Sequence, residues 1–298
     1  MDAKEFEFIN KVVIVRYEDK YEKMVCDIFL KNRKGVPYYY PETSIDSWRD
    51  SFFHDKDFDG KPLFKELETY LLIIDNLVEG WIQFGLSSFV FAGNQKDYSK
   101  SYGIIRDLYF NNHISQNHIL DLLKMSENYF AKYELKTIYA YFHYFGMSCY
   151  SRQGKLHESE FYIEDILVKN KYVIEHENIY YAKLIEKEQS KDQDLKLTFS
   201  KDNTNIDFVL NEEVIGQCII NYIKTSQRAF MRWIGIKKEY RERGYGSRYL
   251  NCLLHYLSKE GYRYLETDTA SNNIVAQNFY NRNGFVNKGI MRSYIKEV

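Results

Sequence analysis

Two apolar runs joined by a two-residue polar turn occur twice in this chain, in similar settings. Residues 70–84 hold an apolar run, Asp75-Asn76, then Val78, Gly80 and a second apolar run; residues 206–220 hold an apolar run, Asn211-Glu212, then Val214, Gly216 and a second apolar run. Both read as β-hairpins, since a tight polar turn between apolar segments makes the chain double back. Further on, Ile163 to Val173 aligns with Ala276 to Val286, each a helical pattern running into a strand. The pattern is that of a duplication. Glu186 to Asp194, a polar run without one apolar residue, reads as the linker between the copies. The expected domains are therefore residues 1–187 and 195–298. The first opens with the β-branched run Lys11 to Arg16, a helical pattern through Met24, Val25, Ile28 and Phe29, and an aromatic segment from Pro37 to Pro41.

Charge and composition narrow the partners. Lys and Arg number 41 against 42 Asp and Glu, a formal charge of −1, so no global field draws the chain to nucleic acid or an anionic membrane. With 45% apolar residues over 298 positions, there is enough material for a substantial core, which excludes disorder. No apolar stretch approaches the roughly 18 residues of a membrane-spanning helix, and Met1 to Glu5 do not resemble a signal peptide, so a cytoplasmic protein is expected. Cys26, Cys149, Cys218 and Cys252 are far apart and read as free thiols. His113 and His118, five apart, do not share a helical face as metal ligands would, and no metal is expected.

Chemistry concentrates near the C-terminus. Phe230, Trp233, Ile234 and Ile236 suit a strand; Arg241-Glu242-Arg243-Gly244-Tyr245-Gly246 comes next, then a helix with Tyr249, Leu250, Leu253, Leu254 and Leu257 on its apolar side, ended by Gly261. Glycines at a strand-to-helix junction let backbone amides approach a phosphate, and the helix presents unpaired N–H groups and its positive dipole end to that anion. Downstream, Tyr264 to Thr269 alternates like a strand, and Ser271, Asn272 and Asn273 offer caps for a helix ending at Gly284. Asn273, Ala276 and Tyr280 fall on one face of that helix.

The two motifs together resemble the signature of the GNAT acyltransferase superfamily, Arg/Gln-x-x-Gly-x-Gly/Ala followed by Asn-x-x-Ala-x-x-aromatic-Tyr-x-x-x-Gly-Phe. Here they read Arg241 to Gly246 and Asn273 to Phe285, and the likeness covers roughly Leu195 onward. The resemblance implies an α/β (α+β) fold of two tandem GNAT-like domains, each a mixed, mostly antiparallel sheet flanked by helices. It implies acetyl-CoA as co-substrate, its pantetheine arm along the strand at Ile234, Gly235 and Ile236. The pyrophosphate would lie on the loop Arg241, Glu242, Arg243, Gly244, Tyr245, Gly246 and Ser247. Asn273 would help hold the pantetheine, and Tyr280 would protonate the leaving thiolate.

A carboxylate for deprotonating the amine is absent from Phe230, Met231, Arg232 and Trp233; Glu266 and Asp268 on the next strand are the nearest substitutes. The first half has no glycine from Ile104 to Phe145 and carries Leu167 and Lys171 where the second has Tyr280 and Gly284. It is expected to be a degenerate copy that covers the acceptor side of the working one, with Pro37 to Pro41 and Tyr139 to Tyr150 as candidate coverings. The function expected is N-acetyl transfer to a primary amine of a small molecule or peptide, by a monomer or homodimer; the alternative is a non-catalytic acyl-CoA-binding or sensing protein.

Overall fold

The computed structural model describes residues 11–32, 43–57, 60–93, 95–150, 154–186, 194–223 and 227–298. The aromatic segment Pro37 to Pro41 and most of the polar linker lie outside the described residues. In chain order the elements are β1 (Val12–Arg16), α1 (Glu22–Asn32), α2 (Ile45–Phe53), β2 (Phe64–Ile74), β3 (Leu77–Ser87), the short pair β4 (Val90–Ala92) and β5 (Gln95–Asp97), β6 (Gly103–Phe110), α3 (Gln116–Ala131), β7 (Thr137–Ala140), β8 (Leu156–His157), α4 (Phe161–Lys169) and β9 (Val173–Leu184). Then come β10 (Leu195–Phe199), β11 (Asn205–Leu210), β12 (Glu213–Ile223), β13 (Arg228–Ile236), α5 (Tyr245–Lys259), β14 (Tyr264–Ala270), α6 (Ile274–Arg282) and β15 (Val286–Glu297).

The two hairpins have the turn their sequences demand. Asp75 and Asn76 have φ of 50° and 67°, and Asn211 and Glu212 have 47° and 67°, so both central residues of each turn are left-handed, as a two-residue turn matched to strand twist requires. The helix-to-strand repeat is equally plain: α4 leads into β9 through Lys171 at φ 67°, and α6 into β15 through Gly284 at φ 75°. A lysine there carries a steric cost that glycine avoids.

What sequence patterning did not reveal is how the copies join. They share one sheet, ordered β1-β2-β3-β6-β7-β15-β9-β14-β13-β12-β11-β10, with β8 beside β15. The final strand of each half is exchanged. β9, which precedes the linker, pairs with β14 of the second half from Leu184↔Tyr264 to Asn178↔Ala270. β15 pairs with β7 of the first half from Tyr294↔Ala140 to Glu297↔Thr137, and β9 and β15 run antiparallel at the centre.

Alternation along the strands sends side chains to two layers. On β2, Leu72 joins the cluster under α3 and α4, while Leu71 and Ile73 join Val25, Phe29, Trp48 and Phe52 of α1 and α2. On β13, Ala229 and Met231 pack under α5, while Phe230 between them lies in the same cluster as α1 and α2, with Ile223, Tyr180 and Met291. Helices of the first half thus cover part of the second half's opposite face. The segment from Tyr139 onward packs Phe142 and Phe145 with Leu63, Phe89 and Ile104. Cys26, Cys149, Cys218 and Cys252 are free thiols. Among the described residues no helix is long and apolar enough to cross a membrane.

A fragment lacking residues 1–187 loses β9, leaving β14 and β15 without their common neighbour. It is expected to be insoluble or to lack a cooperative thermal transition; a monodisperse fragment melting as sharply as the full chain would contradict this account.

Candidate functional site

A bulge sets the geometry of the site. β12 and β13 pair with Ile219 opposite Trp233 and Ile220 opposite Met231, so Arg232 is an extra residue that bends β13. On its other side β13 runs parallel to β14 only from Arg228↔Tyr264 to Met231↔Thr267. There the Thr267 hydroxyl donates to the Met231 carbonyl at 2.8 Å and closes the last rung. Beyond it, β14 pairs with β9 alone and Trp233 to Ile236 pair with β12 alone. A wedge opens between β13 and β14, with the backbone groups of Ile234 and Ile236 along one wall, since Gly235 between them turns its own toward β12.

The glycine loop leaves the open end of this wedge. Arg241 Nε donates to the Ile236 carbonyl at 2.8 Å and ties the loop to the strand. Glu242 and Gly244 then take φ of 62° and 76°, and Gly244 caps α5 with no side-chain hydrogen bond. The N–H groups of Tyr245, Gly246 and Ser247 in the first turn of α5 therefore have no cap from Gly244, the arrangement that suits an anion. A Cβ on Gly246 would lie 3.2 Å from Phe279, so α5 and α6 meet closely at this end. Beside the loop, a cleft of about 310 Å³ is lined by Val214, Gly216, Gln217, Trp233, Gly235, Ile236, Lys237 and Arg241.

At the closed end stands Tyr280. Its side chain is 5% exposed, its hydroxyl is 3.5 Å from Thr267 Oγ1, and its ring packs against Tyr181 and Phe285, each 5.4 Å away. Burial pushes its pKa up, so the phenol holds its proton across the neutral range. Asn273, exposed, uses its Oδ1 to accept from Ala276 N–H at 3.2 Å; it caps α6 and thereby fixes the helix that carries Tyr280. That is a different task from the contact to pantetheine its motif suggests.

Glu266 does not stand at the wedge. It is 1% exposed, lies on the paired part of β14, and binds the guanidinium of Arg228, which stacks on Tyr264 with its carbon 4.3 Å from the ring centre. A buried carboxylate held by its cation is poorly placed to take a proton from a substrate. Asp268 lies just past the last rung, where Lys155 Nζ at 3.0 Å and Asn178 Nδ2 at 2.8 Å donate to Oδ2.

The first half repeats the wedge and fills it. β3 and β6 pair with Gln83 opposite Asp107 and Phe84 opposite Ile105, so Arg106 is the extra residue there, and β6 pairs with β7 only as far as Ile105↔Ala140. The next residue, Tyr141, takes φ 56° and turns its phenol into the gap: its hydroxyl donates to the Leu108 carbonyl at 2.8 Å and accepts from Leu108 N–H at 3.0 Å. Leu108 stands two residues past Arg106, as Ile234 stands two past Arg232, so the phenol covers the backbone edge that is open in the second half. Arg106 is also sealed in, bound to Asp55 at 2.7 Å and to the carbonyls of Phe52, Phe145 and Gly146. Arg232 is exposed, its guanidinium 5.8 Å from the centre of the Tyr144 ring. Neither bulge nor plug has a composition or spacing signal that patterning alone could find.

Residues 172–285 match the model of the acetyltransferase (GNAT) family. No curated protein matches the chain. A GCN5-related N-acetyltransferase from Sphaerobacter thermophilus is similar in structure, with a TM-score of 0.67 at 9% identity over 96% of this chain and 95% of that one. A tandem GNAT protein from the clavulanic acid biosynthesis pathway gives 0.69 at 10% identity over 96% and 98% of the two chains. A GCN5-related glucosamine N-acetyltransferase region in a fungal multi-domain GH3 β-N-acetylglucosaminidase gives 0.65 at 11% identity, covering 96% of this chain and 38% of that one.

Tyr141→Phe leaves Leu108 N–H and C=O without partners and is expected to cost about 1–3 kcal/mol in denaturant unfolding. The exposed control Tyr98→Phe should change stability by less than about 0.5 kcal/mol. Equal effects would show that the plug does not hold the first wedge.

Proposed function

We propose that this protein moves an acetyl group from acetyl-CoA to a primary amine of a small molecule or peptide, by direct attack with both substrates bound; residues 172–285 match the acetyltransferase (GNAT) family model, and the fold is similar to that of a tandem GNAT protein. Family and fold support acyl transfer. The observation that carries the finer reading is the open wedge with a buried phenol at its closed end and an uncapped 15-residue helix at its mouth, beside a copy of the same wedge already filled by Tyr141.

The residues present fit acetyl-CoA. The free edge of β13 at Ile234 offers backbone groups to the amides of the pantetheine arm, and the amides of Tyr245, Gly246 and Ser247 offer donors to the pyrophosphate. Arg241, Arg243 and Arg248 add positive charge around that loop in a chain of net charge −1. Holding thioester and amine in one cleft supplies rate by proximity. Tyr280 keeps its proton until the carbon–sulfur bond breaks and then gives it to the sulfur. The acceptor is a small-molecule or peptide amine, with no nucleic-acid or membrane partner, and the working unit is a monomer or homodimer.

Calorimetric titration with acetyl-CoA is expected to show one site per chain, abolished in a Gly244→Glu, Gly246→Glu variant whose far-UV circular dichroism is unchanged. Two sites, or binding that survives the double substitution, would refute the loop assignment. Tyr280→Phe should retain binding and lower turnover about 10²-fold. The raised pKa of the phenol sets the sign with pH: activity is full while the hydroxyl is protonated and falls only above the ordinary phenol value of 10.0. That alkaline limb should vanish in Tyr280→Phe. Unchanged turnover would remove the phenol from catalysis, and a wild-type chain that binds acetyl-CoA without turnover would favour a sensing role.

A further inference from the structure

The halves differ most in one connection. Between β14 and α6 it spans residues 271–273, whereas between β7 and α4 it spans residues 141–160. The longer connection crosses to the second half. β8 pairs with β15 through His157↔Met291, His157 Nε2 lies 2.8 Å from the Lys288 carbonyl, and Lys155, 5% exposed at its side chain, reaches Asp268 at the edge of the open wedge.

The same connection sets His143 at this place. Its ring lies 6.2 Å from that of His176 on β9, and the adjoining Tyr144 lies against Arg232 of the bulge. The groups facing His143 come from every element around it: Lys155 of its own connection, Asp268 of β14, His176 of β9 and Arg232 of β13. Burial, with Lys155, His176 and Arg232 acting in the same direction against Asp268, lowers its pKa to about 4. The imidazole is neutral at pH 7 and carries a lone pair. Its Nδ1 is buried and has no hydrogen-bond partner among the described residues. A buried polar atom left in this way has a cost and calls for a reason.

Lys155, on the connection that carries His143, holds Asp268 at 3.0 Å, and Thr267, the residue before Asp268, lies 3.5 Å from the Tyr280 hydroxyl, so this connection and α6 meet at the same end of the wedge. Tyr280 approaches by Thr267, and the connection that carries His143 approaches through Lys155 by Asp268, the next residue along the strand, whose side chain points to the opposite face. An acid and a base on opposite faces of a gap are what a displacement through that gap requires.

We propose that His143, supplied by the first half, is the general base of the transfer. This assignment deepens the acyl-transfer reading and rests on it. The amine nitrogen forms its bond to the thioester carbonyl carbon, and one of its protons passes to the imidazole nitrogen bearing the lone pair. The carbon–sulfur bond breaks, and the sulfur takes the Tyr280 hydroxyl proton; the imidazolium proton is released to solvent and the phenolate is reprotonated from it. The nitrogen's protons become more acidic as the carbon–nitrogen bond forms, so a weakly basic imidazole suffices.

The test uses bromoacetyl-CoA on the full chain and needs no knowledge of the acceptor. The probe sets an electrophilic carbon where the acetyl methyl group lies; the imidazole lone pair forms a bond to it as bromide leaves. Peptide mapping by mass spectrometry is expected to find one adduct per chain, on His143, suppressed by excess CoA. Labelling should slow at least about tenfold in His143→Gln and proceed normally in Tyr280→Phe. His143→Gln should keep wild-type acetyl-CoA affinity, which shows that it folds, and with any amine the wild type accepts should lower kcat about 10²-fold at constant KM for acetyl-CoA. An adduct on Cys149, His176 or Asp268, or no adduct in a chain that binds the probe, overturns the assignment of the base. Failure of the wild type to bind acetyl-CoA overturns the acyl-transfer reading beneath it.

Discussion

The antiparallel pairing of β9 with β15 is the constraint on which the rest of the molecule depends. Each of these strands closes the half to which it does not belong in sequence, and the register between them runs from Ala182↔Val286 to Val173↔Ile295. With that register set, Tyr181 on β9 meets Tyr280 on α6, Asn178 meets Asp268, and Phe230 is carried under the helices of the first half. The candidate site is thus assembled from both halves although the glycine loop and the Asn273–Phe285 motif lie in one.

The same backbone device, an arginine at a bulge and then a strand that parts from its neighbour, serves two ends. In the first half the gap is satisfied internally, by a phenol that gives a backbone N–H and C=O their partners and by a guanidinium surrounded by carbonyls and Asp55. Unpaired buried backbone groups are costly, so a wedge that takes no ligand must fill itself. In the second half the equivalent edge keeps its groups open and the arginine faces outward. The difference between the filled wedge and the open one therefore comes down to the residue just past the last rung: Tyr141 in one copy, Asp268 in the other.

Much of this was legible in the sequence where local rules decide. The paired hairpin turns, the helix-to-strand repeats, the glycine loop and the face shared by Asn273, Ala276 and Tyr280 all arise from patterns of two to thirteen residues, and Asp75, Asn76 and Asn211 take the left-handed conformation their residue types favour, with Glu212 following the turn against its own preference. The exchange of strands was not legible, because β9 and β15 carry the same alternation whichever neighbour they meet. Glu266 illustrates the limit at the level of one residue: its place on β14 was readable, but its ion pair with Arg228, 38 residues away, was not. Asn273 shows a second limit, since a motif residue can serve the helix that it begins. His143 escaped notice because nothing near it in sequence marks it; only the crossing of residues 141–160 brings it to Asp268.

The exchanged strands also fix an order of events during synthesis. β7 ends the first half's own run of strands, and its partner β15 is separated from it by well over a hundred residues, with Thr137 opposite Glu297. Until β15 has been made and has emerged from the ribosome, the first half presents an open sheet edge, and β9 is available to any strand that can pair with it. Pairings so distant in sequence also slow folding. The sheet therefore closes only once β15 is available, and the nascent first half is the stage at which a holding chaperone would matter most.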